Sequence, residues 1–158
     1  MRRRNVLFWY VICTLTLVGS VSAWMVKVPL EDLVEQADNV LMGEVLDLRS
    51  SWDPDGQWIR TYVTISVDDV IKGTLGEGEC VVSYIGGVVG EIGLWQSDTP
   101  VFEIGQEVFV FLQPDGRGTF RVTGRYQGKF TVERNEIVER DEMVDAFVRR
   151  VKTIMKNH

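Results

Sequence analysis

The chain is predicted to be all-β with flanking helices: a five- to six-stranded OB-like barrel between a short N-terminal helix and an amphipathic C-terminal helix. Three observations carry this. Ile59, Thr61, Val63, Ile65 and Val67 alternate with Arg60, Tyr62, Thr64, Ser66 and Asp68, the period of a strand with one buried and one wet face. Glu107–Leu112 is apolar at successive positions, as in a central strand covered on both sides. Met143, Val144, Phe147, Val148, Val151, Ile154 and Met155 fall on one helical stripe.

The elements follow in order. Pro29 suits a first helical position, and Leu30, Leu33, Val34 and Ala37 recur at helical spacing, so Pro29–Asp38 reads as a helix that Asn39 ends. Val40–Arg49 reads as a strand whose Val40, Met42, Leu46 and Leu48 share a face, with Glu44 as the exception. Gly43 inside it permits a bend or a close approach. Residues 51–57 hold Asp53, Pro54, Asp55 and Gly56, each with a local reason to sit in a turn. The strand Ile59–Val70 follows, then a turn at Lys72–Gly76 and a third strand, Glu79–Ile85. Gly86–Gly105 has no clear period and reads as a long loop with one short strand around Val88. After Glu107–Leu112 comes a tight turn at Pro114–Gly118, then strands at Thr119–Thr123 and Lys129–Glu133. Asp141–Lys156 is the closing helix, acidic near its start and basic near its end, as the helix dipole favours. A five-stranded sheet closed on itself removes its adhesive edges; an open β-sandwich is the alternative.

Residues 1–26 have the layout of a secretory signal: Arg2, Arg3 and Arg4, an apolar run from Val6 to Val18, then small residues ending at Ala23. Cleavage after Ala23 would leave residues 24–158 as one OB-like domain. An uncleaved signal anchor is the alternative, because Asn5–Val26 has no charge and is long enough to span a bilayer. Either way the rest of the chain is exported: secreted, periplasmic or on the cell surface. Membrane attachment is expected only if that segment stays uncleaved.

Of 158 residues, 45% are hydrophobic and 25% charged, which excludes a disordered tail, a collagen-like repeat and a polytopic membrane protein. The formal charge is −6. Removing residues 1–23 takes three arginines and no acid, so the balance falls to −9. Such a charge opposes nucleic-acid backbones and anionic lipid surfaces. Cys80 would be the single remaining thiol; its valine neighbours suggest a buried side chain, with an intermolecular bridge as the alternative.

A resemblance rests on two stretches. Ala37-Asp38-Asn39-Val40-Leu41-Met42-Gly43-Glu44-Val45 and, after the hairpin, Val67-Asp68-Asp69-Val70-Ile71-Lys72-Gly73 resemble the opening of the netrin-like module. That module is an OB-type barrel of tissue inhibitors of metalloproteinases, netrins and complement components. Phe102–Leu112 and Gln127–Phe130 are similar to an uncharacterised exported bacterial domain that sometimes occurs near matrixin-type metalloproteases. The resemblance implies the barrel and transfers no functional residue. The inhibitors present an N-terminal Cys to the protease zinc, and this chain would begin at Trp24.

Residue chemistry points away from catalysis. His158, the one histidine, is the last residue, so no Ser-His-Asp, Cys-His or histidine-based zinc site is expected. Asp53 and Asp55 lack the distal Glu of a calcium loop and read as turn formers. Gly86, Gly87, Gly90 and Gly93 match no nucleotide fingerprint. No catalytic residue, metal site or cofactor is expected. The remaining candidates are aromatic. Trp52 and Trp58 flank the first hairpin turn and Trp95 lies in the long loop; OB folds frame their ligand face with the loops joining strands 1 and 2 and strands 4 and 5. Exposed tryptophans stack on sugars or anchor protein partners; the competing reading makes them core at the barrel ends. The expected function is a non-enzymatic binding module for a protein or glycan partner. The alternatives are a small hydrolase using a carboxylate pair, and an inhibitor-like module working without the N-terminal Cys.

Overall fold

Asn39–Trp52, the first strand (β1), carries two neighbours along its first half and one along its second, and this asymmetry builds the fold. The computed structural model describes residues 27–76 and 78–157; the signal segment and cleavage site expected from the sequence, and His158, lie outside them. The strands are β1, β2 (Ile59–Lys72), β3 (Gly78–Ile85), β4 (Gly87–Val89), β5 (Ile92–Leu94), β6 (Glu107–Pro114), β7 (Phe120–Val122), β8 (Lys129–Glu133), β9 (Glu136–Ile137) and β10 (Glu142–Met143). Helix α1 spans Leu30–Gln36 and α2 spans Val144–Asn157.

The main sheet runs β1-β2-β3-β7-β6, and β6 pairs back onto β1. Asn39–Glu44 of β1 face Leu112–Glu107 of β6, while β1 from Val40 to Trp52 pairs with β2 except at Leu46. All ring contacts are antiparallel except β3–β7, which is parallel through Val82 and Phe120. The sheet is therefore a closed five-stranded barrel of OB-type order, and the open sandwich is excluded. Beyond the ring, β8, β9 and β10 extend from β6.

Two apolar clusters sit on opposite sides of this wall. Leu41, Val45, Val63, Ile65, Cys80, Val82, Val108, Val110, Leu112 and Val122 fill the barrel. Outside it, Leu33, Val34, Val40, Phe109, Phe111, Phe130, Ile137, Phe147, Val151 and Ile154 join both helices to β1, β6 and β8. The two-sided apolarity of β6 has this cause: Val108, Val110 and Leu112 look into the barrel, and Phe109 and Phe111 look at the helices. Lys72 fastens α1 by donating from Nζ to the Val34 and Ala37 carbonyls at 2.7 and 2.6 Å, which satisfies acceptors at the helix end.

Several expectations shift. The face assigned to β1 is wrong. Leu41 and Val45 point into the barrel, Val40 and Met42 belong to the helix side, and Leu46 is 42% exposed. The cause is a bulge: pairing steps from Val45–Ile65 to Asp47–Thr64, so Leu46 has no partner and Leu48 regains the inner face. β1 runs on to Trp52. The long loop contains the β4–β5 hairpin. Helix α2 begins at Val144, because Asp141 adopts φ 51° and Glu142–Met143 pair with β9.

Candidate binding site

One end of the barrel gathers the β1–β2 turn, the end of β3, the β4–β5 hairpin and the β6–β7 turn. The first turn is locally determined. Asp53 Oδ1 accepts from the Gln57 and Trp58 amides at 2.9 and 3.2 Å, and Gly56 supplies φ 68°. Burial tends to raise the Asp53 carboxyl, but those amides and the Arg117 charge hold it below the ordinary carboxylate range. Arg117 belongs to the β6–β7 turn, so the two turns are neighbours.

The β4–β5 hairpin is seated on β1 and β2 by backbone and hydroxyl contacts. The Gly86 amide donates to Ile59 O at 2.8 Å, the Thr61 hydroxyl donates to Gly86 O at 2.6 Å, and Ser50 Oγ lies 2.8 Å from Thr61 Oγ1. Gly87 passes so close that a Cβ there would lie 2.3 Å from both hydroxyl oxygens, and its φ of 128° favours glycine in addition.

Trp52, Trp58 and Trp95 are all on this end and none is core: they are 41%, 48% and 84% exposed. Trp52 and Trp58 bracket the β1–β2 turn. Trp95 follows β5 and lies back over it, with its Nε1 3.2 Å from where a Gly93 Cβ would be. Val88 and Ile92 on the same hairpin are also more than half exposed. An apolar, aromatic rim therefore surrounds this end.

Beside the rim a cleft of about 540 Å³ opens along the short β3–β7 seam. The aromatic signal in the sequence gives no hint of it. Arg60 from β2, Ser83 and Tyr84 from β3, Arg117 and Arg121 from the β6–β7 hairpin, and Arg125 line it. Gln96, Asp98 and Thr99 form the facing wall, which an Arg125–Asp98 ion pair ties down. Arg125 reaches that partner from φ 64°, a left-handed conformation uncommon for a residue with a side chain. Ser83 links the floor together: Arg60 Nη1 donates to its Oγ at 3.3 Å, and its hydroxyl lies 3.0 Å from Asp115 Oδ2. Burial would raise Asp115, yet the Thr119 hydroxyl, the Arg117 amide, Ser83 and the Thr119 amide outweigh it and hold the carboxyl at about 2. It is an anion at any neutral pH. A sequence signal for this cleft does exist: Arg117, Arg121, Arg125 and Lys129 recur every fourth residue, with no acid from Gly116 to Val132.

Other candidates lie apart. Cys80 is buried in the barrel, and burial pushes its thiol up to about 11. Among the described residues no group of His, Cys, Asp or Glu is arranged to hold a metal, and no helix is long and apolar enough to cross a membrane. Glu136 and Asp141 do approach each other closely enough to share a hydrogen bond, which raises Glu136, but they sit on the β9–β10 side, outside the cleft. Comparison with protein-family models and with curated proteins finds no match.

Proposed function

We propose that this is an exported, non-enzymatic binding module whose ligand face is the barrel end framed by the β1–β2 turn, the β4–β5 hairpin and the β6–β7 turn. The observation that carries this reading is the joint exposure of Trp52, Trp58 and Trp95 on that end. Exposed tryptophans cost hydration and are favoured where a partner covers them. Two of these, the β1–β2 and β6–β7 turns, correspond to the loops that frame an OB ligand face. The OB-type ring is also the fold that the netrin-like resemblance implies, which supports a binding role without transferring any residue.

The hydrolase alternative receives less support. Asp98 is committed to Arg125, and Asp115 is held near pKa 2, too acidic to donate a proton at neutral pH. Replacing Trp52, Trp58 and Trp95 together with Ala tests the binding reading, using arrays of immobilised oligosaccharides and exported proteins. Signals given by the native chain should fall at least tenfold, with an unchanged far-ultraviolet spectrum. An unfolded variant, or unchanged binding, overturns the reading. Assay against matrixin-type metalloproteases tests the inhibitor subcase, and an absence of inhibition removes it.

A further inference from the structure

The geometry points to a carboxylate-bearing saccharide as the occupant of the Arg60–Arg117–Arg121–Arg125 cleft. This rests on the reading that the tryptophan-rimmed end is the ligand face, and names the ligand class for it.

The argument begins with charge. Four arginines and two aspartates line the cleft, an excess of two positive charges in its lining on a chain of net −6. Asp98 is paired with Arg125, and Asp115 is saturated by two hydroxyls and two amides. None of the ion pairs among the described residues involves Arg60, Arg117 or Arg121. Arg60 is the sharpest case. Its Nε is buried and has no acceptor, and its Nη1 has only the long bond to Ser83. The terminal nitrogens of this guanidinium therefore keep unused donors, which a ligand oxygen in the cleft would satisfy. A guanidinium fork matches a carboxylate with two parallel hydrogen bonds.

Size and surroundings select among carboxylates. About 540 Å³ suits a short oligosaccharide segment or a small ligand rather than a folded domain. Net negative charge elsewhere on the chain would repel a long polyanion, so the charged stretch of the ligand must be short. Gln96, Thr99 and Gln113 provide amide and hydroxyl groups for sugar hydroxyls. An acidic peptide has no ring hydroxyls with which to use that wall. Trp95 follows β5 directly before Gln96, so a flat apolar surface adjoins the polar wall, as pyranose rings require.

Titration calorimetry with three probes tests this: a galacturonate tetramer, a neutral galactose tetramer and a tetraglutamate peptide. Saturable binding of the galacturonate tetramer, at least tenfold tighter than the other two, is expected. Arg121→Ala and Arg60→Ala should each weaken it roughly ten- to a hundred-fold, the worth of a charged hydrogen bond. Arg121 is exposed, so that variant stays informative should Arg60→Ala unfold. Tighter binding of tetraglutamate overturns the saccharide assignment, and absent galacturonate binding or an indifferent Arg121→Ala overturns the site. The tryptophan triple variant separates the two readings. If it binds galacturonate like the native chain while Arg121→Ala does not, the arginine site stands and the tryptophan reading falls. If array binding needs the tryptophans and ignores Arg121, the tryptophan face stands and the arginine site falls.

Discussion

Asp115 and Ser83 meet across the β3–β7 seam, Oγ to Oδ2 at 3.0 Å, where the parallel ladder between those strands is represented by the Val82–Phe120 pair alone. Side chains here join what the backbone leaves nearly separate. The same carboxylate accepts the Arg117 and Thr119 amides at 2.8 and 3.2 Å, so it also shapes the β6–β7 turn.

Asp115→Ala should therefore destabilise the domain by roughly 1–2 kcal/mol at pH 7, the net worth of charged hydrogen bonds at a partly exposed site. The pH dependence has a definite sign. The folded-state carboxyl lies at about 2, below its ordinary value of 3.8, so its stabilisation is present above pH 4 and fades as pH falls towards 2. Urea unfolding of both forms at pH 7, 4 and 2.5 should show their difference shrinking in that order. A constant difference would mean that the ionised carboxylate is not what holds the turn.

Gly43 lies where β1 serves two neighbours. A Cβ there would be 2.0 Å from the Ser66 carbonyl oxygen and 2.9 Å from Ile65 Cγ2. Backbone cannot yield as a flexible side chain does, so Gly43→Ala should cost about 3 kcal/mol, the upper range for overpacking. Thermal unfolding should shift down by roughly 10 °C. A shift under 2 °C would show that β1 and β2 can separate there without loss.

Cys80 is buried in the barrel with its thiol raised to about 11. The thiolate is the reactive form, so at pH 8 the folded chain should react with a thiol reagent far more slowly than the chain in 6 M guanidinium chloride. Raising the pH should accelerate labelling only on approach to 11 or to unfolding. A disulfide-linked dimer on a non-reducing gel of the folded protein would contradict this burial.

Strands with one wet face were legible because burial imposes a two-residue period, and β2 carries it from Ile59 to Ile65 without interruption. β6 was legible for the complementary reason: the barrel and the helices claim alternate residues of one short run. β1 was not, because the unpaired Leu46 reverses the parity and the residues before it divide between two cores. The β4–β5 hairpin is three residues per strand and is held by Ser50, Thr61 and Ile59, none of which is near it in sequence. The tryptophans could be placed at one barrel end from chain order. Their exposure was not legible, since Trp52 and Trp58 lie beside buried Ile59. The arginine cleft is assembled from β2, β3, β7 and a loop, and sequence shows only its Arg117–Arg121–Arg125 part.

Phe147 is the residue on which the outer layer turns. It is fully buried on α2 and meets the rings of Phe109 at 5.0 Å, Phe130 at 5.3 Å and Phe111 at 6.5 Å, all edge to face. Those rings come from β6 and β8, so this one side chain joins the helix to the barrel wall. Phe147→Ala should cost about 4 kcal/mol, within the range for emptying a buried aromatic site. The loss should be confined at first to the helix layer, because the barrel interior is a separate cluster. Amide hydrogen exchange should then show α2 losing protection while Val63, Ile65 and Val110 keep theirs. Uniform loss across both layers would mean that the helix and barrel fold as one cooperative unit, with no intermediate opening of the helical face.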